Sequence, residues 1–161
     1  MNVFGNRFSV ARQTGTFCQG DDMTHSATIL VVDDESGSRE ALAVLLQDEG
    51  YSTLSAANGK EALAIVAQNP PDLILLDVVM DGIDGYEVAK SIKANPATSN
   101  IPIIMVTAHD GRGAHVIALD AGAEAFVPKP IDMAVLSLRV RNLLRLAQAM
   151  PTHEIPQNAG L

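Results

Sequence analysis

The chain has 161 residues, a formal net charge of −8, and a composition 47% hydrophobic and 19% charged. That is enough for one domain with a real core, not two ordinary ones, and it is the composition of a soluble globular protein. It argues against a basic nucleic-acid surface, against a disulfide framework or thiolate metal site (Cys18 stands alone), and against a membrane span, because no apolar run reaches about 18 residues. An acidic chain of this kind suits a carboxylate cluster around a divalent cation, and its cysteine usage suggests a reducing, cytoplasmic setting.

Residues 1–27 carry no apolar core of a secretory signal and read as a polar, disordered leader. Arg7 and Arg12 with several hydroxyls give it only a faint transit-peptide composition, and Met23 offers an alternative start. Ala27 to Val32 is a β-branched run that stops at Asp33-Asp34-Glu35-Ser36. Leu42, Leu45 and Leu46 then share a helical face, and Gly50 ends that helix. Tyr51 to Ser55 predicts a second strand. Asn58 with Glu61 three residues on predicts a capped helix with a Leu63, Ile65, Val66 stripe, ended by Pro70-Pro71.

Leu73 to Leu76 is an unbroken aliphatic run ending in Asp77, the pattern of a strand buried on both faces. Its helix runs to about Ala94 and is broken by Asn95-Pro96. Ile101 to Val106 predicts a fourth strand ending at Thr107, and Asp110-Gly111 opens a helix whose apolar side includes Val116, Ile117 and Leu119. Glu124 to Val127 is a short fifth strand before Pro128-Lys129-Pro130. Asp132 caps a last helix carrying Val135, Leu136, Leu138, Val140, Leu143, Leu144 and Leu146, and residues 150–161 read as a flexible tail.

Five strand–helix alternations with short connections predict a doubly wound α/β domain with a parallel sheet, spanning residues 28–149. Asp33, Asp34, Asp77, Thr107 and Lys129 then all leave the carboxyl edge of that sheet. Open α/β sheets bind ligands at this edge, at the switch point of the strand order. In the order 2-1-3-4-5 the switch point lies between strands one and three, the two that carry the carboxylates.

Three carboxylates in one crevice repel unless a cation intervenes, and Mg²⁺, a hard ion taking carboxylates, waters and phosphate oxygens, fits. Val79 stands where a second acid after Asp77 would be, so its backbone carbonyl is the candidate ligand there. A carboxylate can attack a phosphoryl donor, and Mg²⁺ with the Lys129 ammonium would neutralise the transferred oxygens. Thr107 offers a hydroxyl to the same group.

Val31-Val32-Asp33-Asp34-Glu35-Ser36, Leu75-Leu76-Asp77, Asp84-Gly85, Val106-Thr107-Ala108, Ala121-Gly122-Ala123 and Lys129-Pro130 together resemble the receiver (CheY-like) domain of two-component response regulators. The resemblance implies a flavodoxin-like (βα)5 fold and makes Asp77 the phosphoacceptor, charged by a sensor histidine kinase or a histidine phosphotransfer protein. It implies Mg²⁺ on Asp34, Asp77 and the Val79 carbonyl, with Asp33 acting directly or through water. Thr107 and Phe126 become the switch, and Lys129, aimed by a cis bond to Pro130, bridges to the phosphoryl oxygens. The output is then a changed surface for a downstream effector or a homodimer, not an enzyme activity on another substrate.

Asp81 departs from the pattern, since the family often has Pro there. Thr107 to Gly113, with Lys129-Pro130-Ile131-Asp132, also resembles receivers joined to diguanylate cyclase outputs. Only eleven residues follow Met150, so the chain reads as a stand-alone receiver or a piece of a longer protein.

Each assignment has a plainer competitor. Asp33-Asp34 could cap the helix near Ser36, Lys129 could be a solvated loop lysine, Thr107 could satisfy backbone, and Phe126 could simply pack. His109, two residues after Thr107, is a candidate for tuning phosphoryl lifetime. Arg139, Arg141 and Arg145 suit the carboxyl end of a helix better than nucleic acid. A haloacid-dehalogenase-type phosphohydrolase would need an acid where Val79 stands, and a flavodoxin-like cofactor site would put Asp-Asp-Glu against a phosphate.

Overall fold

The computed structural model describes residues 26–108 and 112–149. The leader up to His25, His109 and the tail from Met150 lie outside the described residues. The elements run β1 (Thr28–Val32), α1 (Ser36–Asp48), β2 (Ser52–Ala56), α2 (Gly59–Gln68), β3 (Leu73–Asp77), α3 (Gly85–Ala94), β4 (Ile103–Thr107), α4 (Arg112–Asp120), β5 (Ala125–Pro128) and α5 (Met133–Ala149). The strands form one sheet in the order β2-β1-β3-β4-β5, every neighbouring pair parallel. This is the predicted topology. Strand bounds differ from expectation by a residue or two, as when β4 starts at Ile103 instead of Ile101.

Side chains alternate across the sheet and build two cores. Leu30, Val32, Ile74, Leu76, Ile103 and Met105 face α2, α3 and α4. Ile29, Val31, Leu73, Leu75, Ile104 and Val127 face Leu42 and Leu46 of α1 and Leu136, Val140 and Leu144 of α5. All five residues of β3 are buried, which is why its sequence shows no alternation. Each fully buried aliphatic contributes about 1.5–3 kcal/mol, an upper bound given residual burial in the unfolded chain.

Two caps match expectation. Asn58 Oδ1 accepts from the Glu61 N–H at 2.8 Å while Glu61 Oε1 accepts from the Ala57 N–H at 2.7 Å. Asp132 Oδ1 accepts from the Ala134 N–H at 2.9 Å. The cap of α1, by contrast, is Glu35, without a side-chain cap bond, so neither Asp33 nor Asp34 is its N-cap residue.

The apolar face of α4 is a correction. Val116, Ile117 and Leu119 are 63%, 48% and 50% exposed, and the helix turns Ala118 inward, with Ala121 buried just beyond its end. Ala118 and Ala121 are small residues at helical spacing that pack into the core beside the sheet, whereas the larger side chains would hold the helix off. Hydropathy marks both faces as apolar; size selects between them. Leu45 of α1 and Val135, Leu138 and Leu146 of α5 likewise point outward.

At the amino edge of the sheet, Lys93 Nζ pairs with Glu124 Oε2 at 2.8 Å and donates to the carbonyls of Ile101 at 2.7 Å and Ser99 at 3.1 Å. Glu124 Oε1 accepts from the Ile103 N–H at 2.8 Å. Gly122 has φ +100° and sits against the Lys93 stem, which a Cβ there would meet at 2.7 Å.

Candidate functional site

The parallel register sets the site. Val32 pairs with Leu76, Asp77 with Val106 and Thr107 with Pro128, so Asp33 and Asp77 emerge level and Thr107 and Lys129 follow beside them. Gly85 keeps this corner tight: its N–H donates to the Val78 carbonyl at 2.9 Å. A Cβ on Gly85 would collide with the Asp77 carbonyl oxygen and lie 2.8 Å from Val78 Cα. The start of α3 therefore rests directly on the end of β3, which is what the Asp84-Gly85 pair accomplishes, with Asp84 Oδ1 capping the Glu87 N–H at 3.0 Å.

Asp33 and Asp77 are buried and Asp34 is exposed, and one carboxylate oxygen from each lies within 4.8 Å of the others. Each buried acid gives one oxygen to its own turn: Asp33 Oδ1 accepts from the Glu35 N–H at 2.9 Å, and Asp77 Oδ1 from the Val79 N–H at 3.3 Å. The other oxygen of each turns to Lys129 Nζ, at 3.5 Å from Asp33 Oδ2 and 3.3 Å from Asp77 Oδ2. Arg39 Nη1 is spent on the Asp33 carbonyl at 2.7 Å.

One ammonium thus faces two carboxylates at the long end of contact distance, with a third, that of Asp34, close to both. Burial raises the Asp77 pKa above the ordinary carboxylate value and the Asp33 charge adds to it, outweighing Lys129 and the Val79 N–H. Burial works to lower the Lys129 pKa, but Asp77 and Asp33 together outweigh it and the net direction is up.

Thr107 is fully buried at the end of β4, and its carbonyl accepts the Lys129 N–H at 2.8 Å, fixing the base of the lysine. The Lys129–Pro130 peptide is cis. Val79 lies on the exposed lip two residues past Asp77. Asp81 is exposed and stands outside the acid cluster. Phe126 is half-buried on β5, its ring centroid 5.0 Å from that of His115 at an interplanar angle of 48°. His115 escaped the sequence reading because nothing marks it until the position of α4 against β5 is known.

Three oxygen donors this close, without sulfur or imidazole, suit a hard divalent cation such as Mg²⁺. Two hollows flank the cluster. One, of about 530 Å³, is lined by Val79, Met80, Tyr86, Thr107 and Ile117. The other, of about 270 Å³, is lined by Asp33, Ser38, Leu42, Lys129, Ile131 and Met133. Among the described residues no helix is long and apolar enough to cross a membrane.

Residues 29–141 match the response regulator receiver domain family. The chain is 46% identical over 120 residues to the response regulator PleD of Caulobacter vibrioides, covering 74% of this chain and 26% of PleD. It is 43% identical over 117 residues to the response regulator MprA of a Mycobacterium species, covering 73% of this chain and 50% of MprA. The chain therefore spans between a quarter and half of the length of these relatives. Its fold superposes on the signal receiver domain of a signal transduction histidine kinase from Syntrophus aciditrophicus with a TM-score of 0.73 at 32% identity, covering 81% of this chain and 99% of that one. With fold, edge and sequence in agreement, the chain belongs to the response regulator receiver domain family, the phosphorylation-controlled modules of two-component signalling.

Proposed function

We propose that Asp77 is the residue that accepts the phosphoryl group. The observation that carries this reading is its position: a buried carboxylate at the switch point, level with Asp33 and within 3.3 Å of Lys129 Nζ. One Asp77 carboxylate oxygen attacks the phosphorus of a phosphohistidine on a sensor kinase or phosphotransfer protein. The P–N bond breaks, its electrons leave with the imidazole nitrogen, and Asp77 becomes an acyl phosphate that water later hydrolyses.

Asp34, Asp77 and the Val79 carbonyl, with Asp33 directly or through water, would hold Mg²⁺, which supplies charge neutralisation for the transferred oxygens. Lys129 keeps its proton, as its two acidic neighbours favour, and turns from the carboxylates to the new phosphoryl oxygens. Thr107 donates its hydroxyl to the same group, and Phe126 answers by changing the half-buried position of its ring.

The hollow between α1 and the Lys129–Met133 segment leads to Asp33 and Lys129, which supports it as the approach of the phosphodonor. The output is a surface for an effector protein or a second copy, in a cytoplasmic setting, not catalysis on a further substrate. Arg139 and Arg141 are exposed with Arg145 on α5 and belong to a solvated face, so no nucleic-acid contact is assigned to them.

Intact-mass analysis after incubation with acetyl phosphate and Mg²⁺ tests the reading. A single phosphoryl adduct that needs Mg²⁺ and is lost in Asp77→Asn is expected. An adduct that persists in Asp77→Asn would overturn it.

A further inference from the structure

His115 lies on the exposed side of α4, yet its ring stands against Phe126 of β5. The centroid separation of 5.0 Å and the 48° tilt fall within the range where aromatic rings attract beyond the area they bury. Otherwise α4 meets the sheet through small side chains. Ala118 inside the helix and Ala121 just beyond it are the buried side chains, while Val116, Ile117 and Leu119 face outward. An alanine methyl buries far less than a leucine or isoleucine side chain. The ring contact is thus a tie between two large side chains that joins this helix to β5.

The proposal rests on the reading of Phe126 as the residue whose ring moves when Asp77 is phosphorylated. If that ring moves, the group touching its outer side must follow it or lose the contact. We infer that His115 is a positioning residue that couples the ring of Phe126 to α4, so that a change at the carboxyl edge shifts the exposed Val116-Ile117-Leu119 surface. A ring pair of this geometry biases an equilibrium between two ring positions by roughly two- to tenfold, enough to alter a response without being needed for the fold. By linkage the effect is reciprocal: whatever holds α4 in one position also biases the ring.

The test uses the full chain carrying 4-fluorophenylalanine, with the Phe126 signal assigned by its loss in Phe126→Leu. Fluorine and amide NMR spectra are recorded with and without acetyl phosphate and Mg²⁺ for wild type, His115→Ala and His115→Phe. Phosphorylation is expected to move the Phe126 signal in all three. The amide shifts of Val116 to Leu119 should be full in wild type, clearly reduced in His115→Ala and restored in His115→Phe. A merely structural role for the imidazole would change the resting spectrum and leave the phosphorylation-dependent shifts intact. Equal α4 shifts in His115→Ala and wild type, with Phe126 still moving, would overturn the coupling role alone. A Phe126 signal that stays fixed in phosphorylated wild type would overturn the switch reading, and the coupling with it.

Discussion

The two edges of the sheet handle charge in opposite ways. At the amino edge one lysine meets one glutamate at 2.8 Å, and the remaining valences of both are met by backbone: Lys93 takes the carbonyls of Ser99 and Ile101, Glu124 the Ile103 N–H. At the carboxyl edge three acids share one lysine that stands 3.3 and 3.5 Å from two of them. The fold is the same, and the loops at each edge are of similar length. The first edge is built to be complete by itself, whereas the second keeps an excess of negative charge among its described side chains, which the proposed cation would balance. Breaking the first should therefore cost stability, and neutralising the second should restore it.

The largest stability effect belongs to the corner between the edges and the site. Gly85→Val should destabilise the fold by ~3 kcal/mol or more, because a side chain there meets the Asp77 carbonyl and Val78 backbone. It should also slow phosphorylation, since β3 must shift to admit it. Urea unfolding and the acetyl-phosphate adduct rate read the two effects, and a wild-type value of either would break the account of this corner.

At the amino edge, Lys93→Met should cost ~2 kcal/mol, discounted for partial exposure, because it strands Glu124 and two carbonyls. The urea midpoint should fall at unchanged slope while Mg²⁺-dependent phosphorylation stays within about twofold. A loss of phosphorylation with unchanged stability would reverse the roles assigned to the two edges.

The smallest effect sharpens the comparison through pH. Asp77 has a raised pKa in the folded state, so the folded protein holds that proton more tightly than the unfolded chain. Its favourable contribution is complete below the unfolded carboxylate value of about 4 and is lost as pH rises through the folded value. In metal-free buffer the wild type should thus lose stability relative to Asp77→Asn as pH rises from about 4 to 7. Urea midpoints of both proteins across that range decide it. A wild type that gains stability relative to Asp77→Asn on raising the pH would contradict the proposed repulsion.

Much of this site can be read without coordinates. Buried strands announce their own ends, because an aliphatic run must stop where a charged residue follows. Asp33 and Asp77 are therefore placed at the ends of the first and third runs, and Thr107 and Lys129 by their positions after the fourth and fifth, while the roles expected of them come from the resemblance to the receiver family. Other features depend on three-dimensional choices that local patterns do not encode. The inward face of α4 is decided by how closely a helix can lie on the sheet, and Ala118 prevails over Ile117 through size, not hydropathy. Lys93 and Glu124 meet across 31 residues, and the His115–Phe126 contact needs the position of α4 against β5. Such pairs carry no periodic signal, so they become visible only when the elements are assembled.

The most direct test of the central claim is the stability of wild type and Asp77→Asn, measured by urea unfolding at pH 7 with excess EDTA and again with saturating Mg²⁺. Without metal the variant should be the more stable protein. With Mg²⁺ the wild type should gain about 2–3 kcal/mol, as expected for a ligand near 100 times its dissociation constant, and the variant clearly less. A wild type that is already the more stable without metal, or that gains nothing from Mg²⁺, would contradict the view that this edge is built to be completed by a cation.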